Sequence, residues 1–161
     1  MSAPRADRPQ MPGYGLASVS DGELLPWSWG VERLERSRNY FVSTTRPDGR
    51  PHAMPVWGVW LDDAFWFNTG SASRKVRNLA ANAHCVITIE GADECAIVEG
   101  EARPVTDPSE LACFVEAYRA KYDWSLAETT QPTFVVRPRV AFGFIEAAAQ
   151  FIRTATRWSF E

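Results

Sequence analysis

The chain has 161 residues, 45% of them hydrophobic and 23% charged, which suffices for one domain with a sizeable core and excludes a largely disordered chain. A net charge of −3 argues against nucleic acid or another polyanion as partner, and the apolar runs are too short to span a bilayer. The N-terminal "MSAPRADRPQMPGYG" has no apolar h-region, and Cys85, Cys95 and Cys113 form neither a metal spacing nor an even disulfide set, so they read as buried thiols of a cytoplasmic protein.

Residues 1–20, rich in proline and poor in apolar side chains, read as a mobile arm, and residues 21–161 as a single domain. "WGVERLERSR" (29–38) predicts a short helix with Val31 and Leu34 on its apolar side. "NYFVSTT" (39–45) is β-rich, and "RPDGR" (46–50) centres on Asp-Gly, a hairpin turn signal. Strands over 51–60 and 61–70 follow. Helix is expected from the next stretch through about Ala81, with Val76, Leu79, Ala80 and Ala83 as its inner face. Residues 84–90 and 95–105 make another hairpin. "DPSELACFVEAYRAKYD" (107–123) is the clearest helix: Asp107 caps, Pro108 suits the first position, and Glu110 completes a capping box. Residues 132–146 predict a strand pair or one long strand broken near Pro138, and 155–160 a last short strand.

About six hairpin-linked strands without alternating crossover helices exclude a doubly wound parallel sheet. The expected class is mainly β (α+β), an antiparallel barrel with flanking helices.

Two stretches stand out chemically. "NTGSASRKVRNLAANAH" (68–84) puts Arg74, Lys75 and Arg77 at the start of a helix, the end whose dipole disfavours cations. No Asp or Glu occurs between Asp63 and Glu90, so this patch is locally uncompensated. With Ser71, Ser73 and the free N–H groups of a first helical turn, it offers an anion a cradle of charge-assisted hydrogen bonds; a solvated basic face is the plainer alternative. "PHAMPVWGVW" (51–60) places two prolines in a strand, which requires an edge or a bulge. A break near Pro55 would free the N–H groups of Val56 and Trp57 for a flat ligand, whereas an ordinary proline-protected edge would not. Of the tryptophans on these strands, Trp57 is the one expected against a ligand, with Trp60 and Trp66 in the core. His52 lies near this groove. His84 and the Glu99/Glu101 pair read as structural or exposed.

These stretches, in this order, resemble the flavin-binding split β-barrel proteins of the pyridoxamine 5′-phosphate oxidase-like superfamily. The resemblance covers residues 30–160 and rests on "YFVSTTRPDGRPHAMPVWGVW" and "FWFNTGSASRKVRNLAANAHCVITIE". Within it the chain is most similar to the actinobacterial flavin/deazaflavin oxidoreductases, many of which use coenzyme F-420. The resemblance implies a six-stranded split barrel of the FMN-binding type that forms a homodimer with the cofactor groove at the subunit interface. It puts the cofactor ring against Met54, Pro55, Val56 and Trp57. Its phosphate would lie on Ser73, Arg74 and Lys75, with Thr69 and Ser71 nearby and Asn78 and Arg77 supporting the helix or the tail. Neither the basic flavin-contacting strand motif nor the C-terminal Arg- and His-bearing segment of the true pyridoxamine phosphate oxidases is found. The expected activity is hydride transfer from reduced F-420 to an unsaturated small molecule, with no metal. The alternatives are an FMN-dependent oxidoreductase of the same fold or a non-catalytic deazaflavin-, flavin- or haem-binding protein. Extra cations such as Arg38, Arg46 or Arg50 along the groove would favour the glutamylated tail of F-420. The arm and the 123–132 connection are candidates to shape the acceptor pocket.

Overall fold

The Asp-Gly turn sets the first hairpin. Arg46 and Arg50 close it through backbone bonds, and Gly49 takes a φ of +84°, which suits a residue without a Cβ. The computed structural model describes residues 3–126 and 131–161. In chain order these form β1 (Arg5–Asp7), α1 (Trp27–Arg36), β2 (Tyr40–Thr45), β3 (Pro51–Val56), β4 (Gly58–Leu61), β5 (Ala64–Asn68) and α2 (Arg74–Ala81). There follow β6 (His84–Ile89), β7 (Glu94–Pro104), α3 (Pro108–Tyr122), β8 (Thr133–Ile145), α4 (Ala148–Thr154) and β9 (Thr156–Ser159).

All ladders are antiparallel, in the order β1-β9-β8-β7-β6-β2-β3, with β5 joining β8 and β4 joining β5. This is the expected mainly β split barrel with flanking helices, unclosed and with more than six strands. The sequence pattern undercounts the strands for physical reasons. The expected 51–60 strand breaks at Trp57 into β3 and β4. β1, three residues long within the segment expected as an arm, pairs with β9. Arg8 anchors the same segment by donating to the carbonyls of Ala17, Ala155 and Arg153. The helix α4 carries no buried residue, so it leaves no apolar periodicity to read.

β8 is one strand, not a pair. It pairs β7 along its length, while its other edge pairs β5 over Thr133–Val136 and β9 over Val140–Gly143. Pro138, which has no N–H to give, falls between those two ladders. The register slips opposite it, between Glu99 and Gly100 of β7.

The alternation of β5 builds two cores. Phe65 and Phe67 pack with Tyr40, Leu34 and Trp158 inside the barrel, whereas Trp66 packs under α3 with Phe114, Tyr118 and Tyr122. Asp107 caps α3 by accepting from the N–H groups of Ser109 and Glu110. Glu110 reaches Arg103 of β7 at 3.0 Å and does not complete the box. The thiols do not all behave as expected. Cys85 is buried, and burial pushes it up to about 12, but Cys95 is half-buried and Cys113 is exposed on the outer side of α3.

Candidate functional site

α2 begins with Ser73, whose hydroxyl accepts from the Val76 N–H at 3.4 Å. The N–H groups of Arg74 and Lys75 have no partner among the described residues, and no acidic residue stands in the first turn. Of the expected inner face over Val76, Leu79, Ala80 and Ala83, the helix keeps Leu79 in the core and Val76 packed against it, but not the two alanines. Its buried residues are Lys75, Asn78 and Leu79, while Ala80 is exposed and Ala83 lies beyond the helix end. A helix that turns a lysine and an asparagine inward is defying the ordinary burial rule. Lys75 is only 8% exposed, and burial lowers its amine below the usual lysine range. Asn78 is fully buried; its Nδ2 donates to Thr44 Oγ1 at 2.9 Å, and its Oδ1 has no partner.

The facing wall comes from the first hairpin. His52 on β3 stands opposite Thr44 on β2, and Arg46 begins the turn between them. His52 Nδ1 and Arg46 Nε are both buried without partners. Burial, and then the positive charges of Arg46, Lys75 and Arg74, lower His52 below the usual histidine range. Three elements thus bring four basic groups together. Among the described residues none of Arg46, Arg74 and Lys75 has an ion pair. A buried guanidinium N–H without an acceptor and crowded cations without an ion pair are what an anion would satisfy. Arg46 is the member whose importance the spacing alone hid, because the hairpin and not the helix delivers it.

The loop before α2 is tied down from the far side. Thr69 Oγ1 lies 3.4 Å from Ser73 Oγ, the Ser71 N–H donates to Gln131 Oε1 at 2.6 Å, and Asn68 Nδ2 donates to the Gln131 carbonyl at 2.9 Å. Gln131 therefore fixes this loop, a role with no sequence signal. Of the 123–132 connection, residues 127–130 lie outside those described.

The second predicted stretch lies at a sheet edge. β3 ends the ladder order, which accommodates Pro51 and Pro55. Register with β2 puts His52, Met54 and Val56 on the face of Thr44, Val42 and Tyr40; Pro55 alternates to the other face. The Val56 side chain is in the core, Met54 is 44% exposed, and Trp57 is 38% exposed at the break. Trp57 stacks on Tyr122 with centroids 4.7 Å apart and planes 5° apart. The Tyr122 hydroxyl accepts from the Gly58 N–H at 2.9 Å and lies 2.7 Å from the carbonyls of both Gly58 and Arg38. It thereby replaces ladder bonds that the break removes. Gly58 admits no side chain: a Cβ there would meet the Trp66 carbonyl at 2.7 Å. Trp60 and Trp66 are buried, as expected. Away from this region, Glu101 bonds Arg139 at 2.5 Å and lies 3.7 Å from His84.

Residues 31–153 match the family model described as pyridoxamine 5′-phosphate oxidase. The chain belongs to this family. Among solved structures, the pyridoxamine 5′-phosphate oxidase fold recurs in a conserved hypothetical protein from Mycobacterium tuberculosis, at 18% identity and a TM-score of 0.69, covering 78% of this chain and 88% of that one. An F420 reductase is similar at 26% identity and a TM-score of 0.57, covering 68% and 93%. A haem storage protein from Vibrio cholerae is similar at 18% identity and a TM-score of 0.55, covering 70% and 86%. No curated protein matches the chain. The family binds flavin-type cofactors. No helix among the described residues is long and apolar enough to cross a membrane.

Proposed function

We propose that this chain binds coenzyme F-420 and reduces an unsaturated small molecule by hydride transfer. One observation carries the reading: Arg46, His52, Arg74 and Lys75 converge at the start of α2 with buried polar atoms unmet and no carboxylate among them. Such a cluster suits a phosphate. The orphaned Asn78 Oδ1, an acceptor, suits a hydroxyl of the polyol that links phosphate to ring. The similarity to an F420 reductase, at 26% identity, favours the deazaflavin. Bound reduced F-420 would supply the hydride, while the chain would hold its phosphate on Ser73, Arg74 and Lys75 and its ring along Met54–Trp57.

A homodimer fits this reading. The outer face of the sheet carries Phe41, Ile97, Phe142 and Phe144 in neighbouring register, together with a groove of about 550 Å³ lined by Ser43, Thr45, His84, Glu99 and Arg139. An apolar face of this kind is commonly an interface. FMN is the second reading because Arg50, one of the cations expected to hold a longer tail, is bound to Asp48 at 2.7 Å.

The test titrates F-420 and FMN separately into the purified protein, following cofactor fluorescence, with Arg74→Glu/Lys75→Glu alongside. F-420 is expected to bind more tightly than FMN, and the double reversal to abolish binding while the protein keeps its cooperative melt. Binding of neither cofactor, or undiminished binding to the double variant, overturns the proposal. Binding with no turnover over a panel of acceptors would make the chain a carrier.

A further inference from the structure

A second group of cations without ion pairs lies beside the Trp57–Tyr122 stack. The Arg38 guanidinium sits 5.7 Å from the Trp57 ring centroid and 5.5 Å from that of Tyr122, and Lys121 Nζ sits 5.6 Å from Tyr122. Among the described residues neither cation has an ion pair. Lys121 makes one bond, to the Tyr40 hydroxyl at 2.6 Å. That hydroxyl already donates to the Leu34 carbonyl, so it can only accept from the lysine, and two ammonium protons remain unspent.

Burial and the Arg38 charge push Lys121 down to about 8 against the opposing pull of Glu35 and Glu90. Glu35 and Glu90 act on the pair from nearby, but neither forms an ion pair with Arg38 or Lys121. The Glu90 oxygens are taken by Asn39 Nδ2 at 2.7 Å and by the N–H groups of Arg38 and Asn39. Trp57 stacks one face on Tyr122 and remains 38% exposed. Two mutually repelling cations therefore border a partly exposed aromatic platform.

We infer that Arg38 and Lys121 form a carboxylate site beside the Trp57–Tyr122 stack, for a flat, unsaturated organic acid. A carboxylate would supply a directly bonded counter-charge, and the planar remainder of the ligand would lie on the indole. That this acid is the hydride acceptor rests on the function proposed above; the site itself does not. The same cations could instead receive a carboxylate of the cofactor's own glutamyl tail, and the experiment separates the two sources.

Trans-cinnamate and its neutral amide serve as probes, titrated against the full chain with the Trp57 indole N–H signal as readout, assigned through Trp57→Phe. The acid is expected to bind at least tenfold more tightly than the amide. Arg38→Met and Lys121→Met should each weaken it about tenfold, and Lys121→Arg should restore it; if Lys121→Met fails to fold, Arg38→Met and Lys121→Arg carry the test. Arg74→Glu/Lys75→Glu should bind cinnamate as the wild type does, whatever becomes of cofactor binding. Equal binding of acid and amide, or no effect of removing Arg38, overturns the inference. So does loss of cinnamate binding once F-420 is loaded, which would mean that the cofactor itself, by its tail or its ring, fills this site.

Discussion

Replacing Lys75 by methionine should stabilise the free protein and weaken the cofactor complex. The lysine is 8% exposed, lies in the first turn of α2, and has no counter-ion among the described residues. Methionine keeps the volume and removes the charge. Relief of the helix-dipole penalty contributes about 0.3–1 kcal/mol. Exchanging whole buried ion pairs for apolar packing ranges from neutral to stabilising by ~1–4 kcal/mol, and a single lysine falls at the low end of that range. A net gain of about 1–2 kcal/mol raises the melting temperature by about 2–8 °C for a chain of this size. A lost charge-assisted hydrogen bond costs about 1.5–3 kcal/mol of binding, or roughly 10–100-fold in affinity. At a cofactor concentration of about 100 times the wild-type Kd, the wild type gains about 2.7 kcal/mol. The variant then gains only about 0.4–1.4 kcal/mol, so the difference in melting temperature closes or reverses. Thermal melts with and without cofactor, followed by circular dichroism, read both effects. If the variant melts below the wild type without ligand, or gains as much as the wild type from ligand, Lys75 is a structural residue and the frustration argument fails.

Other consequences are equally open to measurement. His52, held low by burial and by Arg46, Lys75 and Arg74, takes up a proton less readily in the folded protein than in the unfolded chain. Stability should therefore fall as pH drops below about 6.5, and Lys75→Met should reduce that loss. A phosphate in the cluster reverses the electrostatics. The His52 imidazole signal, one of only two histidines in the chain, should then titrate at higher pH in the cofactor complex; an unchanged or lower midpoint would place the anion elsewhere. Lys121 at about 8, against an unfolded value near 10.5, leaves the unfolded state holding the extra proton between those values. Wild-type stability relative to Lys121→Met should therefore rise from pH 8 to 10.5, by no more than about 3 kcal/mol, in chemical denaturation. Tyr122→Phe keeps the stack on Trp57 but strips the Gly58 N–H of its acceptor. About 1–3 kcal/mol should be lost in denaturant unfolding, with little loss expected of a phenol whose hydroxyl merely faced water.

The fold was legible where local chemistry and burial agree. Asp48-Gly49 makes its turn, Asp107 and Pro108 start α3, and Phe114, Tyr118 and Tyr122, at helical spacing, bury one face of that helix. It was illegible where neighbours decide. β1 is three residues held by β9 and by Arg8, a partnership formed across about 150 residues of chain. The break at Trp57 looks like continuous strand because Val56 and Val59 are good strand formers on either side. At the break the Tyr122 hydroxyl, arriving from α3, takes the Gly58 N–H.

The site was legible in its charge and illegible in its orientation. Arg74 and Lys75 stand at the end of a helix where the dipole opposes them, and that oddity survives in one dimension. The inward polar face of α2 does not, because apolar periodicity assigns Val76, Leu79, Ala80 and Ala83 to the interior, whereas the folded helix buries Lys75 and Asn78 alongside Val76 and Leu79 and leaves Ala80 exposed. Periodicity measures what water rejects; it is blind to a polar face turned inward toward something other than water. Asn78 is anchored to Thr44, and His52 stands opposite that same threonine. One buried threonine therefore ties the helix that carries two of the cations to the hairpin that carries the other basic groups. Thr44→Val should thus loosen the cluster without touching any charge, which would separate the positioning of these groups from the groups themselves.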